Sequence, residues 1–140
     1  MSTETTWEGF TPDITPGHEP FWASVREHRI ALQRCDRCGT FRFIPSPLCP
    51  RCWSQEATWT PVSGRGEVYT YTVVHRAPTP AYQAMAPYVI AHVTLEEGPR
   101  MISQLVDVPP EEVRIGLPVE LTYRDVSPEL SLYFFTPRRP

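Results

Sequence analysis

A chain of 140 residues with 41% hydrophobic and 21% charged residues has the size and composition of one compact globular unit, which sets aside a disordered tail or a membrane protein as its class. The formal net charge is -3 and all 13 basic residues are arginine. An acidic balance opposes wholesale nucleic-acid binding, and without lysine there is no Schiff-base amine and guanidinium is the only fixed cation for phosphate or carboxylate.

The start, Met1-Ser2-Thr3-Glu4-Thr5-Thr6-Trp7, lacks the basic and apolar runs of a signal peptide, and no stretch is apolar enough to span a bilayer. Cytoplasm is therefore the expected compartment. There, four cysteines read as metal ligands rather than disulfides. Residues 1–17 carry Gly9, Pro12, Pro16 and Gly17 without periodicity and read as an irregular arm. From His18 to Arg29 the pattern becomes helical, with Phe21, Trp22 and Val25 on one face and Pro20 in the first turn. Ile30 to Arg34 alternates as a short strand running into the first cysteine pair.

After the second pair come β segments. Glu67 to His75 is rich in β-branched and aromatic residues, with Gly64 and Gly66 punctuating its start. Tyr88 to Leu95 places Val89, Ala91, Val93 and Leu95 on one face, and Glu96-Glu97-Gly98-Pro99 turns the chain into a further strand from Arg100 to Val106. Pro109 to Ile115 suggests one helical turn, followed by strands from Val119 to Tyr123 and from Leu130 to Phe135. The loop from Arg76 to Pro87, with three prolines and apolar Tyr82, Met85 and Ala86, reads as an ordered contact loop. Five strands with a helical insert between the third and fourth match a Greek-key barrel of the OB type. The expected fold is mainly β: an N-terminal arm and helix over residues 1–29, a rubredoxin-like zinc ribbon over 30–60, and a five-stranded OB-fold barrel over 61–140.

Cys35-Asp36-Arg37-Cys38-Gly39 and Cys49-Pro50-Arg51-Cys52 are two Cys-x-x-Cys pairs separated by ten residues. Each pair can curl into a knuckle, and two knuckles complete a tetrahedral site with Cys35, Cys38, Cys49 and Cys52 as ligands. Gly39 suits the first knuckle because the residue after the second ligand often needs a positive φ. Zinc fits the ribbon context, although the spacing alone also admits rubredoxin-type iron. Four protein ligands leave no position for water or substrate, so the metal's role is to fold the ribbon rather than to catalyse.

The order Ile-Ala-Leu-Gln-Arg-Cys-x-x-Cys-Gly, Cys-Pro-x-Cys and Val62-Ser63-Gly64-Arg65-Gly66-Glu67-Val68-Tyr69 resembles the zinc-ribbon/OB-fold family labelled domain of unknown function thirty-five. The similarity runs from about Glu19 to Phe135 and takes in Thr72-Val73-Val74-His75-Arg76, Pro87-Tyr88-Val89 and Ile115-Gly116-Leu117-Pro118-Val119. The resemblance implies an accessory subunit of a thiolase-like acyl-CoA enzyme. The expected partner is a lipid-transfer-protein-type thiolase subunit, in a heterotetramer, and the favoured reaction is retro-aldol cleavage of a steroid or other bulky acyl-CoA side chain. A conventional acyl-CoA thiolase or a MaoC-type hydratase is the alternative partner. An OB-fold module for single-stranded nucleic acid is the alternative from another class, opposed by the acidic balance.

Arg34, Arg37, Arg42 and Arg51 cluster around the ribbon in sequence and are candidates for contact with CoA phosphates; the competing role is to balance the negative charge of a tetrathiolate site. His75 could face a site shared with a partner or serve a structural role. His92 is expected on the polar face of its strand, while His18 and His28 have no evident carboxylate partner. No Ser-His-Asp or paired-carboxylate set can be assembled, so no catalytic residue is assigned. Trp7, Phe10, Phe21 and Trp22 suit either an anchor on another subunit or packing on the chain's own barrel.

Overall fold

The computed structural model describes Trp7 and residues 9–139; the part of the expected N-terminal arm formed by residues 1–6 and 8 lies outside the described residues. The helix α1 spans Glu19–Arg26, with Pro20 in its first turn and Phe21, Ser24 and Val25 buried. It stops before the expected Arg29 because His28 adopts a left-handed backbone with φ of 60°, the conformation that closes helices. Ser24 then steers the exit: its hydroxyl donates to the Phe21 carbonyl at 2.6 Å and accepts from the Ala31 amide at 3.0 Å.

Three strands build the ribbon: β1 (Ala31–Cys35), β2 (Phe41–Arg42) and β3 (Ala57–Pro61), in antiparallel order β2-β1-β3. β3 has no counterpart among the expected strands. Its residues show no clean burial alternation, and pairing with β1, such as Leu32 with Thr60 and Gln33 with Trp59, is what makes it a strand.

Five further strands, β4 (Arg65–Val74), β5 (Tyr88–Leu95), β6 (Arg100–Leu105), β7 (Pro118–Ser127) and β8 (Leu130–Pro137), close a barrel in the order β4-β5-β6-β8-β7, with β7 returning to β4. All pairs are antiparallel except β6 with β8, which meet in parallel at Leu105 and Phe135. This is the OB-type barrel expected, with a 3-10 turn at Pro110–Glu112 between the third and fourth barrel strands. β7 runs four residues past the expected Tyr123, through a bulge between Asp125 and Ser127 that the alternating pattern does not carry. The proline-rich loop holds a short helix, α2 (Pro80–Met85), capped by the Thr79 hydroxyl; six residues are too few to show a helical period.

The inward face of β5 is the expected one: Val89, Ala91, Val93 and Leu95 are all buried, beside Val68, Met101, Leu105, Val119 and Phe135. Phe21 and Val25 of α1, and Ile30 and Leu32 at the start of the ribbon, belong to the same continuous core. The helix and β1 therefore fold onto the barrel rather than hanging from it. Among the described residues no helix is long and apolar enough to cross a membrane.

Gly66 lies inside β4 and not only at its start. A Cβ there would collide with the Thr94 carbonyl of β5. We predict that Gly66→Ala forces the two strands apart and lowers stability by ~1–3 kcal/mol, read as a lower urea midpoint.

Candidate metal centre and the surfaces around it

β1 ends on Cys35 and delivers its sulfur to the first knuckle. There the backbone amides of Arg37 and Cys38 each point at the Cys35 Sγ at 3.4 Å, and the Gly39 amide donates to the Cys35 carbonyl at 2.9 Å. The second knuckle repeats this: the Arg51 amide lies 3.4 Å from the Cys49 Sγ, and the Trp53 amide donates to the Cys49 carbonyl at 2.9 Å. The two turns also share a backbone requirement. Gly39 has φ of 79°, and at the matching position Trp53 has φ of 69°. Glycine adopts that conformation freely, whereas a bulky side chain is strained there.

The four sulfurs all lie within 4.8 Å of one another. Cys35 and Cys52 are 3.5 Å apart, and Cys38 and Cys49 are 3.6 Å apart. A tetrahedron of ~2.3 Å metal–sulfur bonds has edges of about 3.8 Å, so the cage is of the right size for one ion. A disulfide would need about 2.05 Å, so all four cysteines are free and the disulfide alternative fails on distance. Backbone amides favour the thiolate at Cys35 and Cys49. The Cys38 amide, aided by that of Arg37, pushes the Cys35 thiol down to about 6. The Cys52 amide and then that of Arg51 lower Cys49 as well. At Cys52 the Ser54 amide also lowers the value, but burial and the three neighbouring sulfurs outweigh it and push the thiol up to about 11. Four crowded thiols cannot all ionise without a cation among them, which is the electrostatic reason for the cage to hold one.

Of the four arginines proposed to meet CoA, Arg34, Arg37 and Arg51 are exposed. Arg34 is held over the Phe41 ring at 5.5 Å, and its Nε donates to the Gly39 carbonyl at 3.3 Å. Arg42 differs from them. It is 3% exposed, with its terminal nitrogens donating to the carbonyls of Ser46 at 2.6 Å and Ser54 at 3.3 Å. The same Ser54 carbonyl accepts from the Cys49 amide, so the Arg42 guanidinium braces the second knuckle from behind instead of facing solvent. Its Nε has no partner, and no carboxylate pairs with it among the described residues.

His75 and His92 are exposed. His28, expected to lack a carboxylate partner, has one: its Nε2 is 2.8 Å from Asp125 on β7, and its ring stacks on Tyr123 at 4.9 Å. Sequence reasoning missed this pair because 97 residues separate its members. Ser131 donates its hydroxyl to the same Asp125 oxygen and not to His28, so the trio ties α1 to the barrel and forms no nucleophile relay. Tyr123 completes the tie, its hydroxyl accepting from the Ile30 amide at 3.2 Å. Among the N-terminal aromatics, Phe21 is buried, Trp22 packs on the core, and Trp7 lies 5.7 Å from Phe134; Phe10 is 69% exposed.

Two outcomes follow from this geometry. Cys38→Ser or Cys49→Ser should yield little soluble protein, because structural zinc is worth about 10–16 kcal/mol to small ribbon modules; normal yield with no metal by elemental analysis would contradict it. The Ser131 hydroxyl, and then His28, hold the Asp125 carboxyl below the usual carboxylate range. Its contribution to stability is therefore complete above about pH 4 and is lost as pH falls through the lower folded value. Melting curves of the wild type and Asp125→Asn should differ at pH 7 and converge well below pH 4.

Residues 22–57 match the family model for the ChsH2 rubredoxin-like zinc ribbon domain, and residues 59–124 match that for the ChsH2 C-terminal OB-fold domain. A probable enoyl-CoA hydratase alpha subunit of Thermomonospora curvata is 40% identical over 121 residues, which are 86% of this chain and 37% of that protein. The chain thus spans a little over a third of that relative's length. A benzoylsuccinyl-CoA thiolase subunit of Geobacter metallireducens is 36% identical over 98 residues, 67% of this chain and 64% of that one. Among solved structures, the Ltp2-ChsH2(DUF35) aldolase contains a chain that superposes with a TM-score of 0.80 at 38% identity, covering 91% of this chain and 98% of that one. The ribbon match and the sulfur cage together make zinc the metal.

Proposed function

We propose, from the premise that this chain belongs to the ChsH2-type zinc-ribbon and OB-fold family (DUF35), that it is the accessory subunit of a thiolase-like acyl-CoA enzyme. The observation that carries the proposal is the likeness to the Ltp2-ChsH2(DUF35) aldolase over nearly the whole length of the matched chain. The relative that is a thiolase subunit supports the same kind of assembly.

The chain's own chemistry is consistent with an assisting role. Its zinc cage has four protein sulfurs, which leaves no coordination position for a substrate oxygen. The described residues bring together no nucleophile with a base: Ser131 and His28 both spend their hydrogen bonds on Asp125. Nucleophile and base then reside in the partner. For a retro-aldol reaction, a partner base takes the β-hydroxyl proton, the α–β carbon bond breaks, and the oxygen is left as a ketone. The α-carbon collects a proton and departs as a shortened acyl-CoA, propionyl-CoA where that carbon bears a methyl. Exposed Arg34, Arg37 and Arg51 are the residues of this chain proposed to meet the CoA phosphates through paired guanidinium contacts. Four free cysteines suit a reducing compartment, which supports the cytoplasm as location.

A hydratase partner is the second reading, favoured by the relative in which a module like this one makes up part of a hydratase alpha subunit.

Co-expression with a thiolase-like subunit of the same organism should give a stable heteromer, with C–C cleavage of a bulky acyl-CoA only when both chains are present. Full activity of the thiolase-like subunit alone would end this reading, and hydration without cleavage in a complex with a hydratase subunit would favour the second.

A further inference from the structure

The surface between ribbon and barrel holds an open groove of about 610 Å³. Phe41, Phe43, Ile44 and Trp53 line it from the ribbon side, and the hairpin between β5 and β6 supplies Arg100 at its rim. Two of these side chains stand far out of the protein: Trp53 is 74% exposed and Ile44 is 66% exposed. A site for a small molecule encloses ~70–90% of its ligand, which walls this exposed cannot do. Large apolar residues left in water around an open trough are instead the signature of a protein contact.

Trp53 adds a second observation. The first knuckle fills the matching left-handed position with Gly39, whereas the second keeps a strained tryptophan there, although glycine would relieve the strain. The zinc site does not call for an indole, since the Trp53 side chain points to solvent and only its amide serves the knuckle. A tryptophan held at a backbone cost, exposed, and lining the same groove as an arginine is the composition of an interface anchor.

Charge selects the partner's chemistry. The ionic side chains that line the groove are Arg42, turned inward onto carbonyls, and Arg100; no acidic side chain lines it, in a chain of net charge -3. Arg100 is already oriented, lying 3.7 Å from the centre of the Tyr69 ring with its Nε on the Thr94 hydroxyl at 3.4 Å. Its terminal nitrogens have no ion pair among the described residues. A fixed, unpaired guanidinium beside an apolar trough fits an apolar side chain flanked by a carboxylate.

We propose that this groove is where the thiolase-like subunit docks, with an apolar side chain of the partner seated against Trp53 and Ile44 and a partner carboxylate on Arg100. The proposal rests on the accessory-subunit reading and adds to it the face and the chemistry of the contact.

The test is the dissociation constant for the thiolase-like subunit that co-purifies with the wild-type chain, measured for the wild type, Trp53→Gly, Arg100→Glu and, as a control at an exposed loop residue away from the groove, Ile115→Ser. Trp53→Gly should keep full zinc and a melting temperature no lower than wild type, yet weaken binding by at least ~10-fold. Arg100→Glu should weaken it at least as much, while Ile115→Ser stays within about 3-fold. Hydroxyl-radical footprinting of the wild-type complex gives an answer that needs no variant: Trp53 and Ile44 become protected when the partner is added. Groove variants that bind as wild type, or no protection at Trp53 in a formed complex, would overturn the docking site and leave the accessory role standing. Protection of Trp53 by an acyl-CoA alone would overturn it in favour of a small-molecule site. A wild-type chain that binds no thiolase-like subunit would overturn both.

Discussion

Two turns, one at the end of β1 and one before β3, each bring a pair of sulfurs to a single point, and the ribbon between them has little else to hold it. β2 is two residues long, and β3 buries none of its residues fully. A sheet of that size cannot offset the entropy of ordering its chain, so the ion in the cage supplies the difference. Backbone amides aimed at the sulfurs lower the cost of gathering thiolates, and the Arg42 guanidinium braces the second knuckle through the Ser54 carbonyl. Arg42 is buried and bonded to the Ser46 and Ser54 carbonyls, unlike the exposed Arg34, Arg37 and Arg51.

The ribbon does not stand apart from the barrel. Ile30 and Leu32 leave the helix, enter the ribbon and bury their side chains in the same core as Val68, Val93 and Phe135. Ser24 and Tyr123 take the backbone amides of Ala31 and Ile30, and the His28–Asp125 pair closes the same corner from outside. Order at the metal is therefore passed to the barrel through one short stretch of chain. The groove between the two modules takes its walls from β2, the second knuckle and the hairpin between β5 and β6, so the closed zinc site shapes it directly.

Much of this was legible in the sequence where the signal is local. Ligand spacing in two Cys-x-x-Cys pairs is a property of a few adjacent residues, and the alternation of Val89, Ala91, Val93 and Leu95 reports one buried face directly. What stayed hidden depends on residues far apart in the chain. β3 is a strand because β1 pairs with it, and α2 is shorter than the period that would reveal it. The exposure of an arginine is set by its tertiary neighbours, so Arg42 could not be told from Arg34, Arg37 and Arg51. His28 meets Asp125 only once α1 lies on the barrel. The residue after a knuckle needs a positive φ, which Gly39 meets freely, and the matching place in the second pair holds Trp53, a strained exception that is local and therefore visible in the sequence.

A zinc ion closed off by four protein sulfurs organises the ribbon and leaves no coordination position for substrate. Zinc-edge X-ray absorption on the purified chain, alone and with a thiolase-like subunit and acyl-CoA, tests it most directly. Four sulfur scatterers at about 2.3 Å are expected in every state, with no oxygen or nitrogen shell. Fewer than four sulfurs, with a light-atom ligand that appears or changes when acyl-CoA is added, would contradict it.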